Sequence, residues 1–255
     1  MGPFEDREGL KAAFDRDGYV FIRGAFSGDD LAALQENVAR LIKTVVPTMP
    51  REQVYYEDKA DLSTLKQLQQ LWQHDDFFND LMLKSQLPGL ARTLLGDEIE
   101  PVNMQYFNKP PGVGQPTPAH QDGYYFHLTP CEALTMWLAL DDVDEENGCV
   151  RYVPGSHKRG MRSHGRTNTL GFSQGITDWS DETDTSQELP MVAQPGDLLA
   201  HHALTIHRAD GNHSSTRNRR SLGMIYYAES AKVDEDKRAA YKQQLEREMV
   251  ETGKI

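Results

Sequence analysis

The sequence of 255 residues contains only two cysteines, Cys131 and Cys149. Two cysteines in a chain of this length do not form the disulfide framework of small secreted domains, so we expect a reducing, cytoplasmic location. The sequence also lacks an apolar run long enough to span a bilayer, and its first residues, MGPFEDREGL, lack the apolar stretch of a signal peptide. These absences exclude a membrane protein and predict an intracellular one.

Basic residues are also in short supply. Lys and Arg number 27 against 39 Asp and Glu, which gives a formal net charge of -12. This balance argues against nucleic acid or an anionic membrane as a general partner, although a local basic pocket stays compatible with it. The length suits one large domain with its own core, so we expect a single domain over residues 1–255. The sequence leaves the oligomeric state open.

The first part of the chain, residues 1–96, is predicted to be a mostly helical layer. Apolar residues recur with helical spacing over residues 7–17 and 31–46, and again over residues 62–95. Between the first two helices, GYVFIRG at residues 18–24 has the composition of a strand. We therefore expect helices and one strand before the core begins.

The character of the sequence changes at residue 97, where short apolar segments begin to alternate with turn residues. This pattern predicts an antiparallel sandwich or barrel over residues 97–230. The expected strands are residues 102–108, 120–128, 133–140, 150–153, 198–203 and 221–228. Residues 159–188 are polar, and a loop of that length in a compact domain is usually a lid or a binding loop. A charged helix at residues 234–251 closes the chain. The predicted fold class is mainly β with flanking helices.

Two His-x-Asp motifs are present, His74 to Asp76 and His120 to Asp122. Residues i and i+2 share one face of a strand but project from nearly opposite sides of a helix. The first motif lies in a predicted helix, whereas the second lies in a predicted strand, where both side chains can approach one metal ion. Taken alone, His120 is more often a hydrogen-bonded histidine, and Asp122 before Gly123 is a common turn former.

The segment GDLLAHHALTIHRADGN supplies candidates for a third ligand, namely His201, His202 and His207. Two imidazoles and a carboxylate from separate strands form the facial triad of non-haem Fe(II) oxygenases, which leaves positions open for a cosubstrate and oxygen. At most one or two of these three histidines are expected to be functional.

A cation for the cosubstrate follows in NRRSLGMIYY. If the cosubstrate is 2-oxoglutarate, its far carboxylate needs a buried cation, and the arginine fork suits a carboxylate best. Arg219 and Ser221 would share one face of the predicted strand and Arg220 the other. Arg217, Arg219 and Arg220 are equally compatible with a solvated basic patch.

Four segments together resemble the phytanoyl-CoA dioxygenase family of Fe(II)/2-oxoglutarate oxygenases. They are PPGVGQPTPAHQDGYYF, MWLALDDVDEENGCVRYVPGSHKRG, GDLLAHHALTIHRADGN and RRSLGMIYY. The resemblance covers most of the chain, from GYVFIRGAF to the strand before the last helix. It implies a double-stranded β-helix, the cupin-like jelly roll, flanked by helices.

The resemblance also implies residue roles. His120, Asp122 and His207 match the metal ligands, and His202 matches a histidine that does not bind the metal. Arg219 matches the arginine for the far carboxylate of 2-oxoglutarate. Further contacts to that cosubstrate are implied for Gln105, Trp137 and Lys66.

The chain departs from the family pattern after the distal histidine. Arg208-Ala209 stands where Gly-Ser is usual, so a hydroxyl contact to the cosubstrate is expected to be missing. In the sequence, Arg219 follows His207 one residue later than the corresponding arginine of the family commonly does. Arg217 and Arg220 therefore stay as alternatives to Arg219. The acid at 122 argues against the chloride-binding halogenase variant, which has a small residue there.

The function expected from this resemblance is hydroxylation of a C–H bond of a small organic molecule. The reaction uses Fe(II), 2-oxoglutarate and O2 and releases succinate and CO2. Substrate contacts are expected from Tyr124, Tyr125, His127 and Arg208. Arg162, Arg166 and Arg208 are candidates for an anionic group, and Tyr124 and Phe126 are equally compatible with ordinary core positions.

Three alternatives stay open at this point. An acyl-CoA hydroxylase within the same family would need a receptor for the anionic coenzyme. A non-catalytic jelly-roll module that binds 2-oxoglutarate or another ligand would be expected to lose a metal ligand or the arginine. A metal-dependent isomerase or hydrolase on a cupin-like barrel would have no need of Arg219 and Ser221.

Overall fold

A computed structural model describes residues 2–169, 172–180 and 184–251. The helices are α1 (Arg7–Asp17), α2 (Gly28–Thr44), α3 (Leu71–His74), α4 (Asp76–Lys84), α5 (Leu87–Leu95), α6 (Gly123–Phe126) and α7 (Glu235–Glu251). No helix in this part of the chain is long and apolar enough to cross a membrane.

The strands form two facing sheets and two hairpin-like pairs, all antiparallel. They are β1 (Tyr19–Ile22), β2 (Val54–Tyr56), β3 (Leu65–Leu68), β4 (Ile99–Lys109), β5 (Thr117–His120), β6 (Leu128–Thr129), β7 (Ala133–Ala139), β8 (Val150–Tyr152), β9 (His164–Thr169), β10 (Phe172–Ile176), β11 (Leu189–Pro190), β12 (Leu198–His202), β13 (His207–Ala209), β14 (Arg219–Ala228) and β15 (Lys232–Val233). The larger sheet has the order β1-β12-β7-β14-β4-β3-β2, and the smaller has the order β11-β8-β13-β5. The fold is the predicted jelly roll with flanking helices.

Because side chains alternate along a strand, one face of the larger sheet packs in the core and the other faces a cavity. On β14, Leu222, Met224 and Tyr226 are fully buried in the core cluster shared with the helices. On the other face of β14, Arg219, Ile225 and Tyr227 line a cavity. The main core therefore lies between this sheet and the helical layer, and the cavity lies between the two sheets.

The first helix has the bounds that the sequence predicts. The side chain of Asp6 accepts a hydrogen bond from the backbone N–H of Gly9, which caps the first turn. Gly18 ends the helix in the left-handed region at φ 82°, where its N–H donates to the carbonyl of Phe14. Phe14 is the buried residue of α1, and β1 follows directly, as expected.

The helical prediction over residues 62–95 is wrong at its start. Residues 65–68 form β3, which pairs with β4 on one side and with β2 on the other. Asp61 caps only a single 3-10 turn before the strand begins. All four side chains of β3 are buried, so pairing within the sheet overrides a helical spacing. The strand β2 was not predicted.

Residues 159–188 also differ from the predicted loop. They contain the hairpin of β9 and β10, whose pairing places Gln174 opposite Arg166. Residues 170–171 and 181–183 of the predicted loop lie outside the described residues. The hairpin contacts the segment around the site from both strands. The hydroxyl of Tyr125 donates to the carbonyl of Gln174 at 2.8 Å, and the backbone N–H of Gln121 donates to Nε2 of His164 at 3.0 Å.

Candidate metal centre and its cavity

Three side chains converge at the mouth between the two sheets. His120 ends β5 and His207 begins β13, and the two are direct partners in the register of the smaller sheet. The Nε2 atoms of His120 and His207 lie 3.3 Å and 3.6 Å from Oδ1 of Asp122. One ligand atom from each residue lies within 4.8 Å of the other two, a spacing that suits a metal ion. Two imidazoles and one carboxylate are the donor set that non-haem Fe(II) takes.

Asp122 reaches this point from a turn and not from a strand, so the prediction of a strand over residues 120–128 is wrong. The strand ends at His120, and Asp122 has α-helical angles (φ -57°, ψ -34°) at the N-terminus of α6. The turn is held by Gln121, whose fully buried amide donates to the carbonyls of Gly160 and Leu204. The two ligands still converge, but the strand periodicity is not the reason.

Both histidines are oriented in the same way. Nδ1 of His120 donates to the carbonyl of Pro118 at 2.8 Å, and Nδ1 of His207 donates to the carbonyl of Thr205 at 3.0 Å. In each case the carbonyl lies two residues earlier in the chain. A hydrogen bond that fixes the proton on Nδ1 leaves the lone pair of Nε2 for a metal. Both side chains thus present Nε2 to the metal site.

The second oxygen of Asp122 is held by two donors. Oδ2 accepts from Oγ1 of Thr135 at 2.6 Å and from Nε2 of His201 at 3.1 Å. Thr135 and His201 are themselves direct partners in the pairing of β7 with β12. Because Nε2 of His201 donates, its Nδ1 accepts from the hydroxyl of Tyr152 at 2.7 Å. Oδ1 is therefore the oxygen that faces the two ligand histidines.

Burial and charge set the ionisation of the centre. Burial alone would raise the pKa of Asp122, but the neighbouring His207, His120 and His201 hold the pKa of that carboxyl well below its ordinary value. Burial, reinforced by His120 and His201, keeps the pKa of His207 well below its ordinary value. A charged carboxylate and a neutral imidazole are the forms that bind a metal.

The cavity beside the triad has a volume of about 550 Å3. Its floor is a row across three adjacent strands, in which Gly223 of β14 lies opposite Gln105 of β4 and Trp137 of β7. A Cβ at position 223 would lie 2.8 Å from the ring of Phe107, so glycine keeps the floor open. Gln105 and Trp137, two predicted cosubstrate contacts, thus lie side by side.

Of the three arginines considered for the cosubstrate, Arg217, Arg219 and Arg220, only Arg219 lines the cavity. Arg220 faces away and forms a bidentate ion pair with Asp141. Arg217 is paired with Asp144 and Glu146 at the surface.

Arg219 itself has the environment of an anion receptor. It is 5% exposed, lies over the ring of Trp137 at 5.5 Å, and its Nε is buried without a hydrogen-bond partner among the described residues. Burial lowers its pKa to about 10. A buried guanidinium with an unused donor fits the carboxylate of a bound acid.

The two other predicted cosubstrate residues are placed differently. Lys66 lines the cavity from β3 and forms a buried ion pair with Glu57 at 3.1 Å. Ser221 is fully buried beside Arg219 on β14 but does not line the cavity, and its hydroxyl has no hydrogen-bond partner in the described part of the chain. Only Lys66 of the two can touch a bound molecule without a rearrangement.

Among the predicted substrate contacts, Tyr125 and Arg208 line the cavity and Tyr124 and His127 do not. Tyr124 is stacked on His164, with ring centroids 4.5 Å apart. His127 has a left-handed backbone (φ 52°) and its ring faces Tyr241 of α7 at 5.5 Å.

Arg208 is neutralised by two carboxylates, Glu188 and Asp210. Arg162, another candidate for an anionic group, is likewise paired with Asp178 and Asp184. An anionic substrate would have to displace these partners.

Much of the cavity wall was missed by the sequence analysis. Residues of the 52–70 region and two residues of α7, Arg238 and Tyr241, form it. His201 was predicted only as one of three candidate ligands, and its role in holding Asp122 was not predicted. Its position one residue before His202 in a strand gave a signal, because the two must face opposite sides. His202 indeed turns outward, toward Glu132 and Phe14.

This chain is similar to known proteins over most of its length. The family model for phytanoyl-CoA dioxygenase matches residues 14–221. A probable alpha-ketoglutarate-dependent hypophosphite dioxygenase from Stutzerimonas stutzeri is 28% identical over 207 residues, which cover 79% of this chain and 72% of that protein. Phytanoyl-CoA dioxygenase 1 from Oryza sativa subsp. japonica is 25% identical over 244 residues, or 83% and 86% of the two chains.

Among solved structures, the epimerase SnoN in complex with Fe3+, alpha ketoglutarate and nogalamycin RO has a TM-score of 0.68 and 25% identity. The match covers 88% of this chain and 84% of the epimerase. With the triad, the buried arginine and a family match over most of its length, the chain belongs to the phytanoyl-CoA dioxygenase family.

Proposed function

We propose that this protein is an Fe(II)- and 2-oxoglutarate-dependent dioxygenase that hydroxylates a C–H bond of a small organic molecule, with release of succinate and CO2. The observation that carries the proposal is a pair of anchored histidines and one carboxylate that open into the same cavity as a buried arginine. Cytoplasmic location is part of the proposal and rests on composition.

The chain's residues divide the work of binding. His120, Asp122 and His207 would hold the iron through two Nε2 atoms and Oδ1, while Thr135 and His201 keep the carboxylate oriented through Oδ2. Each ligand histidine donates its Nδ1–H to a backbone carbonyl, which orients its Nε2 toward the metal site.

The cosubstrate would lie on the floor of the cavity. Arg219 offers its fork to the far carboxylate, and the indole of Trp137 backs that guanidinium. Gln105 lies across Gly223 from Trp137 and offers an amide to the same molecule. Lys66 is a further contact from β3.

Iron with 2-oxoglutarate and O2 supplies the oxidising chemistry, which no side chain can supply by itself. The protein's part is to hold the C–H bond of the substrate near the metal and to keep water out. Apolar and aromatic side chains serve the second purpose, since Phe107, Ile225 and Tyr227 line the same cavity.

The cavity suits a small molecule, because 550 Å3 lies within the range of about 300–1,000 Å3 typical of ligand pockets. Two of the three arginines predicted to meet an anionic group, Arg162 and Arg208, already have carboxylate partners. This pairing favours a substrate without a large anionic group over an acyl-CoA, which is the weaker alternative.

The decisive experiment is an anaerobic titration with Fe(II), with and without 2-oxoglutarate. We expect a weak visible charge-transfer band when the keto acid chelates the iron, and no band in His120→Ala. With oxygen and a panel of small organic molecules, we expect substrate-dependent succinate formation and products that gain one oxygen by mass spectrometry.

Other results would point elsewhere. A band without any turnover across the panel would favour the non-catalytic binding module. Metal binding without 2-oxoglutarate binding would favour a cupin-like isomerase or hydrolase. Full iron binding by His120→Ala would refute the assignment of the ligands.

A further inference from the structure

Lys109 has no place in the function described so far, yet it is one of the most buried charged residues of the protein, at 4% exposure. It ends β4, where its direct cross-strand partner is Arg219 at the start of β14. Directly opposite residues of an antiparallel pair project from the same face, with Cβ atoms about 4.5–5.5 Å apart. Both side chains line the cavity.

Such a pair is unfavourable on its own. Like charges directly opposite each other destabilise a sheet, and burial increases the cost. The pKa of Lys109 accordingly lies well below its ordinary value, first because of burial and then because of Arg219 and Lys66. An anion bound between Lys109 and Arg219 would offset the repulsion between these two buried cations.

The neighbouring carboxylates are already engaged. Glu57 is paired with Lys66 and also accepts from the backbone N–H of Gln115. Asp210 is paired with Arg208 and Arg151. Lys109 itself donates to neutral acceptors, the carbonyl of Gln115 and, at 3.4 Å, Oγ1 of Thr117. In the described part of the chain, three buried cations therefore face a single carboxylate.

The backbone around Lys109 leaves room for its side chain only because two neighbouring residues are glycines. Its stem passes two glycines, Gly114, where an added Cβ would lie 2.7 Å from Cβ of Lys109, and Gly148, where one would lie 3.1 Å from Cδ. The carbonyl of Lys109 is fixed by Nδ2 of Asn212 at 2.7 Å. An ammonium has three donors, and two are in use, so one is left for a bound molecule.

We propose that Lys109 is a second cation for the far carboxylate of the cosubstrate, opposite Arg219, and that it makes the site select a 2-oxo diacid over a 2-oxo monoacid. The inference rests on the proposed function, since it assumes that 2-oxoglutarate binds at this floor. A diacid brings a negative charge between the two cations, whereas a monoacid of the same length leaves them buried and facing each other.

The test compares 2-oxoglutarate with 2-oxovalerate, which has the same five carbons but a methyl group in place of the far carboxylate. Dissociation constants of both acids are measured anaerobically on the Fe(II)-loaded protein by calorimetry and by the charge-transfer band. The variants are Lys109→Met, which removes the charge, Lys109→Arg, which restores one, and the control Arg220→Met, which lies on the opposite face of β14.

We expect Lys109→Met to lower the affinity for 2-oxoglutarate by about 10- to 100-fold, which is the usual effect of losing a hydrogen bond to a charged group. The affinities for 2-oxovalerate and for Fe(II) should change by less than about threefold, because neither ligand places a carboxylate beside Lys109. Lys109→Arg should recover most of the selectivity for the diacid, and Arg220→Met should keep all of it.

A structural role would give a different pattern. If Lys109 only ties residues 115–117 in place ahead of β5, Lys109→Met would weaken both acids and Fe(II) by similar factors, and the proposal would be overturned. Unchanged affinity for both acids would overturn it as well. Failure of the wild-type protein to bind 2-oxoglutarate with Fe(II) would instead remove the proposed function, and the role of Lys109 with it. If Lys109→Met does not fold, the ratio of the two affinities in Lys109→Arg decides.

Discussion

Asp122 is the residue on which the centre depends. It is the only acid among the ligands, and its two oxygens have separate tasks, Oδ1 toward His120 and His207 and Oδ2 toward Thr135 and His201. A carboxylate with one oxygen immobilised presents the other in a fixed direction, which lowers the cost of ordering it when a metal binds.

Replacing Thr135 by Val tests this division. The change keeps the shape and removes the 2.6 Å hydrogen bond to Oδ2. We expect Fe(II) affinity to fall by about 10- to 100-fold, the usual effect of losing a partner of a ligand. The control is Thr64→Val, another buried threonine whose hydroxyl bonds only backbone carbonyls and an amide far from the triad. Equal metal affinities in the two variants would contradict the expectation.

At the scale of elements, the strand β14 connects the core to the cavity. Leu222, Met224 and Tyr226 pack under the helices, while Arg219 and Ile225 face the cavity. Gly223 lies in the middle of the cavity face, between Gln105 and Trp137. A glycine inside a strand weakens the strand unless the missing side chain is needed as space.

Gly223→Ala should therefore weaken the binding of the cosubstrate more than it lowers the stability of the fold. The added Cβ would meet the ring of Phe107 at 2.8 Å, and that ring forms part of the floor. Overpacking costs about 1–3 kcal/mol, so we expect 2-oxoglutarate to bind about tenfold more weakly with Fe(II) binding unchanged. Gly165→Ala, a crowded strand glycine outside the cavity, should leave both affinities as they are. Loss of metal binding in Gly223→Ala would show a wider distortion.

The helix α7 forms part of the cavity wall, a role that the sequence did not predict. Tyr241 packs edge-on against Tyr125 at 6.2 Å and His127 at 5.5 Å, and with Arg238 it lines the wall. This aromatic cluster is therefore a contact that holds α7 against the cavity wall.

Tyr241→Ala should loosen α7 without unfolding the sheets. Aromatic pairs contribute about 0.5–1.5 kcal/mol each, so amide exchange in α7 should accelerate by about tenfold while exchange in β7 and β14 stays slow. Gln243→Ala, on an exposed position of the same helix, serves as the control. Uniform acceleration across the sheets would mean that α7 is part of the main cooperative unit.

At the scale of the whole molecule, the larger sheet separates two tasks. One face builds the core with the helical layer, and the other joins the smaller sheet around the cavity. The triad spans this gap, because His120 and His207 belong to the smaller sheet, whereas Thr135 and His201, which hold Asp122, belong to the larger one. A bound metal therefore links the two sheets.

Ligand binding should stabilise the entire fold for this reason. With Fe(II) and 2-oxoglutarate at 100 times their dissociation constants, the free energy of unfolding should rise by about 2.7 kcal/mol for each ligand taken alone, which raises Tm by about 5–10 °C in a chain of this size. His207→Ala or a chelator should abolish the shift. A shift of the same size in His207→Ala, measured by anaerobic scanning calorimetry, would place the metal elsewhere.

Local patterns account for the parts that were predicted correctly. The bounds of α1, the strands near 133–140 and 198–203, and the opposite faces of Arg219 and Arg220 all follow from side-chain periodicity over a few residues. Periodicity failed at β3, where pairing with β4 outweighed a helical spacing, and at residue 122, where the amide of Gln121 holds a turn.

The sequence alone predicted His120, Asp122 and His207 as metal ligands and Arg219 as the cation for the cosubstrate, and it determined the mainly β class with flanking helices. These follow from motifs and from side-chain alternation, which are properties of neighbouring residues. The tertiary structure alone decided that His201 supports Asp122, that residues 52–70 and α7 form the wall, and that Lys109 faces Arg219. These depend on the register of strands far apart in the chain, which no local pattern encodes, since register is settled only when the strands pair.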